Sequence, residues 1–143
     1  MSSIIVRNAV PADAQAIFEL SCAVYGDTVE NAGENYIPAQ SLFNHIKRFP
    51  DGVFVADTGQ QLVGFAITLR TSHSPYKTPK TWKTAIGGLE LKGHDPRGAW
   101  LYGVDFGVHR DFRKMGIGSR LYRARFDMIR RLNLKGFYAG GML

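Results

Sequence analysis

The sequence predicts an α+β fold with elements in the order β-α-α-β-β-β-α-β around one core. Short apolar or alternating runs, typical of strands, are interspersed with longer segments whose apolar residues recur every three to four positions, as in helices. The chain has 143 residues, of which 45% are hydrophobic, and this is enough for one domain with a buried core. We therefore expect residues 1–143 to form a single domain.

The first five predicted elements are short and clearly bounded. In chain order, the strand, two helices and two strands are Ile4–Asn8, Asp13–Val24, Ala39–Arg48, Val53–Asp57 and Gln61–Arg70. Only Thr58, Gly59 and Gln60 separate the last two, which predicts an antiparallel hairpin. Gly64 within the second hairpin strand indicates either a bulge or a helix that packs closely.

Residues Thr71–Gly98 follow no clear periodicity and contain several prolines, glycines and lysines. A loop of this length within a domain is usually functional or mobile, so we expect it to form a wall of a substrate site. Tyr76 and Trp82 are its candidate contact residues, although aromatic side chains also anchor loops to a domain. His73 and His94 are too isolated to suggest metal ligands, and no metal site is expected.

The segment from Ala99 to Leu132 predicts a strand, a glycine-containing turn and a helix. Gly116 and Gly118 lie at the helix start, where a phosphate can closely approach backbone N–H groups that have no helical partner. The apolar stripe of the helix comprises Ile117, Leu121, Ala124, Met128 and Leu132, and the opposite stripe Arg120, Arg123, Asp127, Arg130 and Arg131. A last strand, Gly136–Gly140, is expected to pair in parallel with the strand before the helix.

The net charge of +6 lies entirely in the carboxyl-terminal third of the chain. Residues 1–98 carry nine basic and nine acidic side chains, whereas residues 99–143 carry nine basic and three acidic ones. This distribution indicates either a solvated basic helix face or a polyanionic partner, such as a phosphorylated cofactor or nucleic acid.

The cysteine count and the hydropathy pattern restrict where the protein works. Cys22 is the only cysteine, which excludes a disulfide framework and a thiolate metal site and favours a reducing compartment. The amino terminus lacks the basic and apolar regions of a signal peptide, and no apolar run is long enough to span a bilayer. We therefore expect a soluble, cytoplasmic protein with no membrane partner.

The turn and its flanks closely resemble the acetyl-CoA signature of the GNAT superfamily of N-acetyltransferases. The core of that signature reads Arg/Gln-x-x-Gly-x-Gly/Ala, and this chain has Arg113-Lys-Met-Gly116-Ile-Gly118, with the aliphatic Val108 five positions upstream. A strand and a helix flank the motif, and the order of predicted elements matches the family over nearly the whole chain. The resemblance implies three layers: a mixed, mostly antiparallel sheet with helices on both faces.

The resemblance also implies that acetyl-CoA is the cofactor and that a primary amine, in a small molecule or a protein, accepts the acetyl group. In the family, the N–H groups of the signature turn bind the cofactor pyrophosphate, and the end of the preceding strand pairs with the pantetheine arm and polarises the thioester carbonyl. The matching turn positions are Arg113, Lys114, Met115, Gly116, Ile117, Gly118 and Ser119, and the strand positions are Phe106, Gly107 and Val108.

Two residues of the strand before the turn are candidate general bases, Asp105 and Tyr102. Several family members place the base eleven residues before the signature arginine, and Tyr102 occupies this position here. A tyrosine with an ordinary pKa near ~10 is a poor base at neutral pH, although it can relay a proton or orient a water molecule. Asp105 is the one carboxylate of the strand and is the stronger candidate if it faces the cleft, but a bulge can turn it either way.

The chain departs from the family pattern after its last predicted strand. Most members continue with a helix and two strands that supply a tyrosine as general acid and complete the acceptor pocket, and nothing follows Leu143 here. A shortened gene product, completion by a second copy in a homodimer and a cofactor-binding remnant are the open explanations. The alternative to an acetyltransferase is thus a non-catalytic module that binds acyl-CoA or nucleic acid, although no motif that reads DNA or RNA accompanies the basic helix.

The charge of the acceptor also stays open at this point. The loop after the first helix carries Asp27, Glu30 and Glu34 and no basic residue, which favours a cationic acceptor. The lysines of residues 71–98 favour the opposite charge.

Overall fold

The computed structural model describes residues 3–77 and 81–139, which contain four helices and five strands. The helices are α1 Ala14–Val24, α2 Ala39–Arg48, α3 Trp82–Ala85 and α4 Ile117–Arg131. The strands are β1 Ile5–Asn8, β2 Val53–Asp57, β3 Leu62–Thr71, β4 Trp100–Val108 and β5 Gly136–Ala139. The predicted element order is confirmed apart from α3, a single helical turn, and Gly140 of the last predicted strand lies outside the described residues. None of these helices is long and apolar enough to cross a membrane.

The strands form one sheet in the order β1-β2-β3-β4-β5. Neighbours from β1 to β4 are antiparallel, whereas β4 and β5 are parallel and are connected through α4. This arrangement confirms the predicted mixed, mostly antiparallel sheet and the hairpin of β2 and β3.

Helices cover both faces of the sheet, as the family resemblance implied. On one face, Ile17 of α1 and Ile46 of α2 are completely buried against β2 and β3. On the other face, Leu121 of α4 is completely buried in a second apolar cluster. The two clusters give the fold its three layers and hold the amino-terminal end of α4 against the sheet.

Gly64 of β3 is where α4 approaches the sheet most tightly. A Cβ atom built at this position would lie 3.0 Å from Cγ2 of Ile117 and 3.2 Å from Cδ1 of Leu121. The strand register also shifts beside it, because Ala56 pairs with Gly64 while Asp57 pairs with Leu62. Both expectations for this glycine, close helix packing and an irregular register, are therefore met, and the first turn of α4 is seated directly on β3.

The segment between β3 and β4 is partly core rather than a wholly exposed loop. Ile86 and Leu91 are completely buried in the cluster beneath α1 and α2. Trp82 donates a hydrogen bond from its indole Nε1 to the carbonyl oxygen of Val104, at 2.8 Å. These contacts fix α3 beside β4, whereas the side chain of Tyr76 is almost fully exposed.

Candidate functional site

The edge of β4 that faces β5 is open over the second half of the strand. β5 pairs with β4 at Trp100–Gly103, whereas β3 follows β4 as far as Val108. Over Asp105–Val108, no described strand covers this edge. Because hydrogen-bonding groups alternate along a strand, the backbone groups of Phe106 and Val108 share one edge. The Phe106 N–H and the Val108 carbonyl bond to the Asp105 and Arg113 side chains, so the Phe106 carbonyl and the Val108 N–H remain for an extended ligand beside the end of β4.

A bulge in β4 sets the direction of the Asp105 side chain. Ile67 of β3 pairs with Asp105, but the next residue, Thr68, pairs with Gly103, so Val104 is an extra residue in β4. Such an insertion disrupts the regular alternation of side chains. Val104 points into the core, and Asp105 lines a cavity beside the open edge.

This cavity has a volume of about 600 Å³ and lies where β4 and β5 separate. Strands β4 and β5, helices α3 and α4, and the segment that follows α1 contribute to its wall. The lining residues are Tyr25, Asp27, Asn35, Tyr36, Trp82, Gly103, Val104, Asp105, Phe106, Tyr122, Arg125, Phe137 and Ala139. A volume of this size is typical of sites for small molecules.

Asp105 is a partly buried carboxylate with two hydrogen-bond donors. The hydroxyl of Tyr25 donates to its Oδ1 at 2.8 Å, and the backbone N–H of Phe106 donates to the same oxygen at 2.9 Å. Burial raises the pKa of Asp105 above its ordinary value, and the two hydrogen bonds oppose this shift. A carboxylate that lines a cavity and has a raised pKa is a candidate general base.

A second acid and tyrosine pair lies in the same cavity. The hydroxyl of Tyr36 donates a short hydrogen bond to Asp27, and the rings of Tyr25 and Tyr36 pack edge to face at 6.1 Å between centroids. Burial and the neighbouring carboxylates raise the pKa of both tyrosines, so both hydroxyls keep their protons at neutral pH. Asp105 thus faces a protonated donor and not a second base.

Tyr102, the other candidate base, lies outside this cavity. Its side chain is 1% exposed, belongs to the apolar cluster beneath α1 and α2, and packs edge to face against Tyr138 at 5.3 Å. The structure therefore brings Asp105 to the cavity and leaves Tyr102 in the core.

The turn before α4 presents free backbone donors. Gly116 is the N-cap of α4, has a φ of +79° and supplies no side-chain cap. The first helical hydrogen bond runs from the N–H of Arg120 to the carbonyl oxygen of Gly116, at 3.1 Å. The N–H groups of Ile117, Gly118 and Ser119 precede this bond and have no partner among the described residues. They point outward at the positive end of the helix dipole.

The remaining predicted cofactor positions have mixed surroundings. Lys114 has a φ of +65° and, like Arg113 and Met115, is exposed at the turn or close to it. The Arg113 Nε donates to the carbonyl oxygen of Val108 at 3.2 Å, which ties the turn to the open edge. Gly107 is packed instead toward α1, since a Cβ atom there would come within 2.9 Å of both Val24 and Phe65.

Phe106 connects the turn with the cavity. Its ring lines the cavity, stacks on Tyr122 of α4 at 4.8 Å between centroids, and would lie 3.8 Å from a Cβ atom at Gly118. The turn before α4, the open edge and Asp105 are therefore parts of one continuous surface.

Sequence reasoning missed most of the lining residues, among them Tyr25 and Arg125. Tyr25 follows α1 directly, and nothing in the sequence relates it to Asp105, 80 positions later. Arg125 had a detectable signal, because it lies four residues after Leu121 and three before Met128, on the apolar stripe of α4. An arginine at a position where the helix pattern calls for an apolar residue indicates a buried charge.

Comparison with known proteins gives a consistent result. The profile of the Acetyltransferase (GNAT) family matches residues 14–141. The "Probable hydrolase YhcX" of Bacillus subtilis (strain 168) is 36% identical over 104 residues, which cover 73% of this chain and 20% of that protein. The "Uncharacterized N-acetyltransferase YkwB" of the same organism is 31% identical over 102 residues, covering 71% of this chain and 45% of that protein.

A solved structure shows the same fold. The GphF GNAT-like decarboxylase in complex with isobutyryl-CoA superposes with a TM-score of 0.70 at 22% identity, covering 88% of this chain and 59% of the other. The chain thus spans about a fifth of the length of YhcX, just under half of YkwB and about three fifths of the GphF chain. Because the family profile matches nearly the whole sequence, this chain belongs to the GNAT acetyltransferase family.

Proposed function

We propose that this chain binds acetyl-CoA and transfers the acetyl group to a primary amine by direct attack of the amine on the thioester. The observation that carries this proposal is the continuity of three features: an uncapped helix start, an open strand edge and a cavity that contains a carboxylate. An anion site alone, or a pocket alone, would not require these three features to adjoin one another. Family membership and the isobutyryl-CoA held by GphF, which shares the fold, support a CoA thioester as the ligand.

The turn has the donors and charges that a diphosphate requires. Three N–H groups at the start of α4 have no partner among the described residues, and the adjacent Arg113 and Lys114 add positive charge. Helix N-termini with cationic neighbours are common phosphate sites. We assign the pyrophosphate to the backbone of residues 116–119 and charge neutralisation to Arg113 and Lys114.

The open edge of β4 suits the pantetheine arm, whose amides can pair with backbone groups as an added strand would. The Phe106 carbonyl and the Val108 N–H offer the groups for this pairing, because the Phe106 N–H donates to Asp105 and the Val108 carbonyl accepts from Arg113. Bound acetyl-CoA would supply the electrophilic thioester carbon. The Val108 N–H would be the donor at this edge that pairs with the arm or stabilises negative charge on the thioester oxygen.

Asp105 is the general base of this proposal. Its carboxylate would accept one proton from the substrate ammonium, and the free amine would then form the C–N bond as the C–S bond of the thioester breaks. The second proton lost by the nitrogen would go to the leaving CoA thiolate, and Tyr25 holds Oδ1 of Asp105 in place through its hydroxyl. The raised pKa makes Asp105 a stronger base than an exposed aspartate. Tyr102 takes no part in proton transfer, because its side chain lies in the core. The cytoplasmic location and the homodimer stay predictions.

The test is a calorimetric titration with acetyl-CoA, followed by a thiol-release assay across a panel of amines. The double variant Arg113→Gln/Lys114→Gln should bind acetyl-CoA about 10- to 100-fold more weakly, a total loss of roughly 1.4–2.7 kcal/mol. Each side chain contributes less than the roughly 1.5–3 kcal/mol of a charge-assisted hydrogen bond, because both are exposed and solvent screens their charges. The matched control is Arg130→Gln/Arg131→Gln, which removes the same charge at the far end of α4. It should change the dissociation constant less than threefold.

Two outcomes would contradict the proposal in different ways. Equal losses in both double variants would mean that acetyl-CoA senses only the overall charge and does not bind at the turn. Binding to the wild-type chain without thiol release from any amine would instead favour the non-catalytic, acyl-CoA-binding alternative.

A further inference from the structure

Arg125 is a buried cation without a carboxylate partner. Its residue is 4% exposed, although it belongs to α4, whose outer face carries several exposed arginines. Among the side chains that the structure describes, no acidic oxygen lies within 4 Å of its guanidinium, and its buried Nε has no hydrogen-bond partner. Burial of an arginine without an anion is costly, so the residue needs a specific explanation.

Aromatic rings surround the Arg125 guanidinium. Its central carbon lies 3.7 Å from the ring centroid of Phe137, 4.6 Å from that of Tyr122 and 5.8 Å from that of Phe106. Such contacts stabilise a cation only modestly. The rings hold the guanidinium in place and the Tyr122 hydroxyl interacts with it, whereas its buried Nε stays without a partner among the described residues.

Arg125 lines the same cavity as Asp105. The cavity thus contains a carboxylate that suits an ammonium group and a guanidinium that suits an anion. A planar guanidinium binds a carboxylate through two parallel hydrogen bonds, a geometry that a lysine does not reproduce. Neither a purely cationic nor a neutral substrate would pair with both groups.

We infer that Arg125 binds a carboxylate group of the substrate that fills the cavity. This inference rests on the proposed function, because it assigns a substrate class to the same site. The carboxylate belongs to the amine acceptor or to the acyl chain of the thioester, and the experiment separates these sources. In either case Arg125 determines specificity and does not itself transfer a proton.

The experiment measures binding and turnover with ligand pairs that differ in one charge. The acceptor pair is an amine with a terminal carboxylate and the corresponding carboxamide, both with acetyl-CoA. The thioester pair is succinyl-CoA and butyryl-CoA, both with a simple amine. For one pair, the wild-type chain should prefer the carboxylate by about 10- to 100-fold in kcat/KM and in the calorimetric dissociation constant, as expected for loss of a charge-assisted pair.

Arg125→Met should abolish this preference, and Arg125→Lys should restore it in part. The matched control is Arg123→Met on the same helix, where the arginine is exposed and does not line the cavity. It should leave the preference unchanged. Thermal unfolding reports on folding, and Arg125→Met should be at least as stable as wild type, since it removes an unpaired buried charge.

Three outcomes overturn the inference. The first two are the lack of a carboxylate preference in either pair and a preference that persists in Arg125→Met. A large loss of stability in Arg125→Met would also overturn it, because the arginine would then serve the fold. A failure of the proposed function can be told apart from a failure of this inference. If the proposed function is wrong, acetyl-CoA does not bind, but the shift in unfolding temperature caused by the carboxylate amine and by the carboxamide amine still measures the carboxylate preference without a thioester.

Discussion

Replacement of Asp105 by asparagine separates catalysis from folding at this site. The two hydrogen bonds that Asp105 accepts, from Tyr25 at 2.8 Å and from Phe106 at 2.9 Å, both end on Oδ1. An asparagine keeps an oxygen at this position and can accept both bonds. Asp105→Asn therefore removes the negative charge and the basic lone pairs and leaves the local geometry intact.

The expected effects on rate and stability have opposite signs. A positioned general base accelerates a reaction by about 10²- to 10⁴-fold, so kcat should fall by this factor, equivalent to roughly 3–5 kcal/mol in the barrier. Burial raises the pKa of Asp105 above 3.8, so the folded chain holds this proton more tightly than the unfolded chain. Stability is then lost as the pH rises from about 3.8 through the raised pKa. At neutral pH, Asp105→Asn should be as stable as wild type or more stable.

The assay is steady-state thiol release at saturating acetyl-CoA, with the amine varied between pH 5 and 9. The wild-type rate should fall toward acid pH as Asp105 takes up a proton, and this limb should be absent in Asp105→Asn. Tyr25→Phe should retain more activity than Asp105→Asn, because it removes only one hydrogen bond. A kcat within threefold of wild type in Asp105→Asn, at unchanged acetyl-CoA affinity, would refute the assignment of Asp105 as the base.

Two further predictions concern the scaffold. Gly64→Ala should lower the free energy of unfolding by about 1–3 kcal/mol in urea titrations, because the added Cβ would meet Ile117 at 3.0 Å; a loss under 0.5 kcal/mol would show that α4 yields easily. His94 is partly buried, and its Nδ1 accepts a hydrogen bond from the backbone N–H of Arg70. Burial lowers the pKa of His94 to about 4, so the unfolded chain binds this proton more readily than the folded chain. The free energy of unfolding should therefore fall as the pH drops from about 6.5 toward 4. His94→Asn keeps an acceptor without titrating and should remove about 1–2 kcal/mol of this loss after allowance for solvent screening; an unchanged pH dependence would contradict the assignment to His94.

Local patterns explain why the element order could be predicted from the sequence. Helical and strand periodicity, the short turn between β2 and β3 and the glycines of the α4 turn all act over a few residues. The bounds of α2 and β2 agree with the prediction, and the turn before α4 lies where Gly116 and Gly118 predict it. In each case the local conformation depends on residues that are close together in the chain, and the sequence shows these residues directly.

The contents of the cavity depend on tertiary contacts and could not be predicted in the same way. The position of Asp105 follows from an extra residue, Val104, which appears only as a shift in register against β3. Tyr25 reaches Asp105 because α1 packs on the sheet with its end beside β4. The core location of Tyr102 has the same origin, since its neighbour in space, Tyr138, belongs to β5.

The separation of β4 from β5 explains why the Asp105 carboxylate and the Arg125 guanidinium line one cavity. Gly103 has no side chain, and a Cβ there would lie 2.7 Å from the ring of Phe137, so β5 can approach β4 as far as this residue. The bulge follows immediately, turns Asp105 into the gap and leaves the edge beyond it open. Phe137 then stacks on Arg125 from the opposite side of the gap. A side chain at position 103 would therefore displace β5, and with it the aromatic support that keeps the guanidinium beside the cavity.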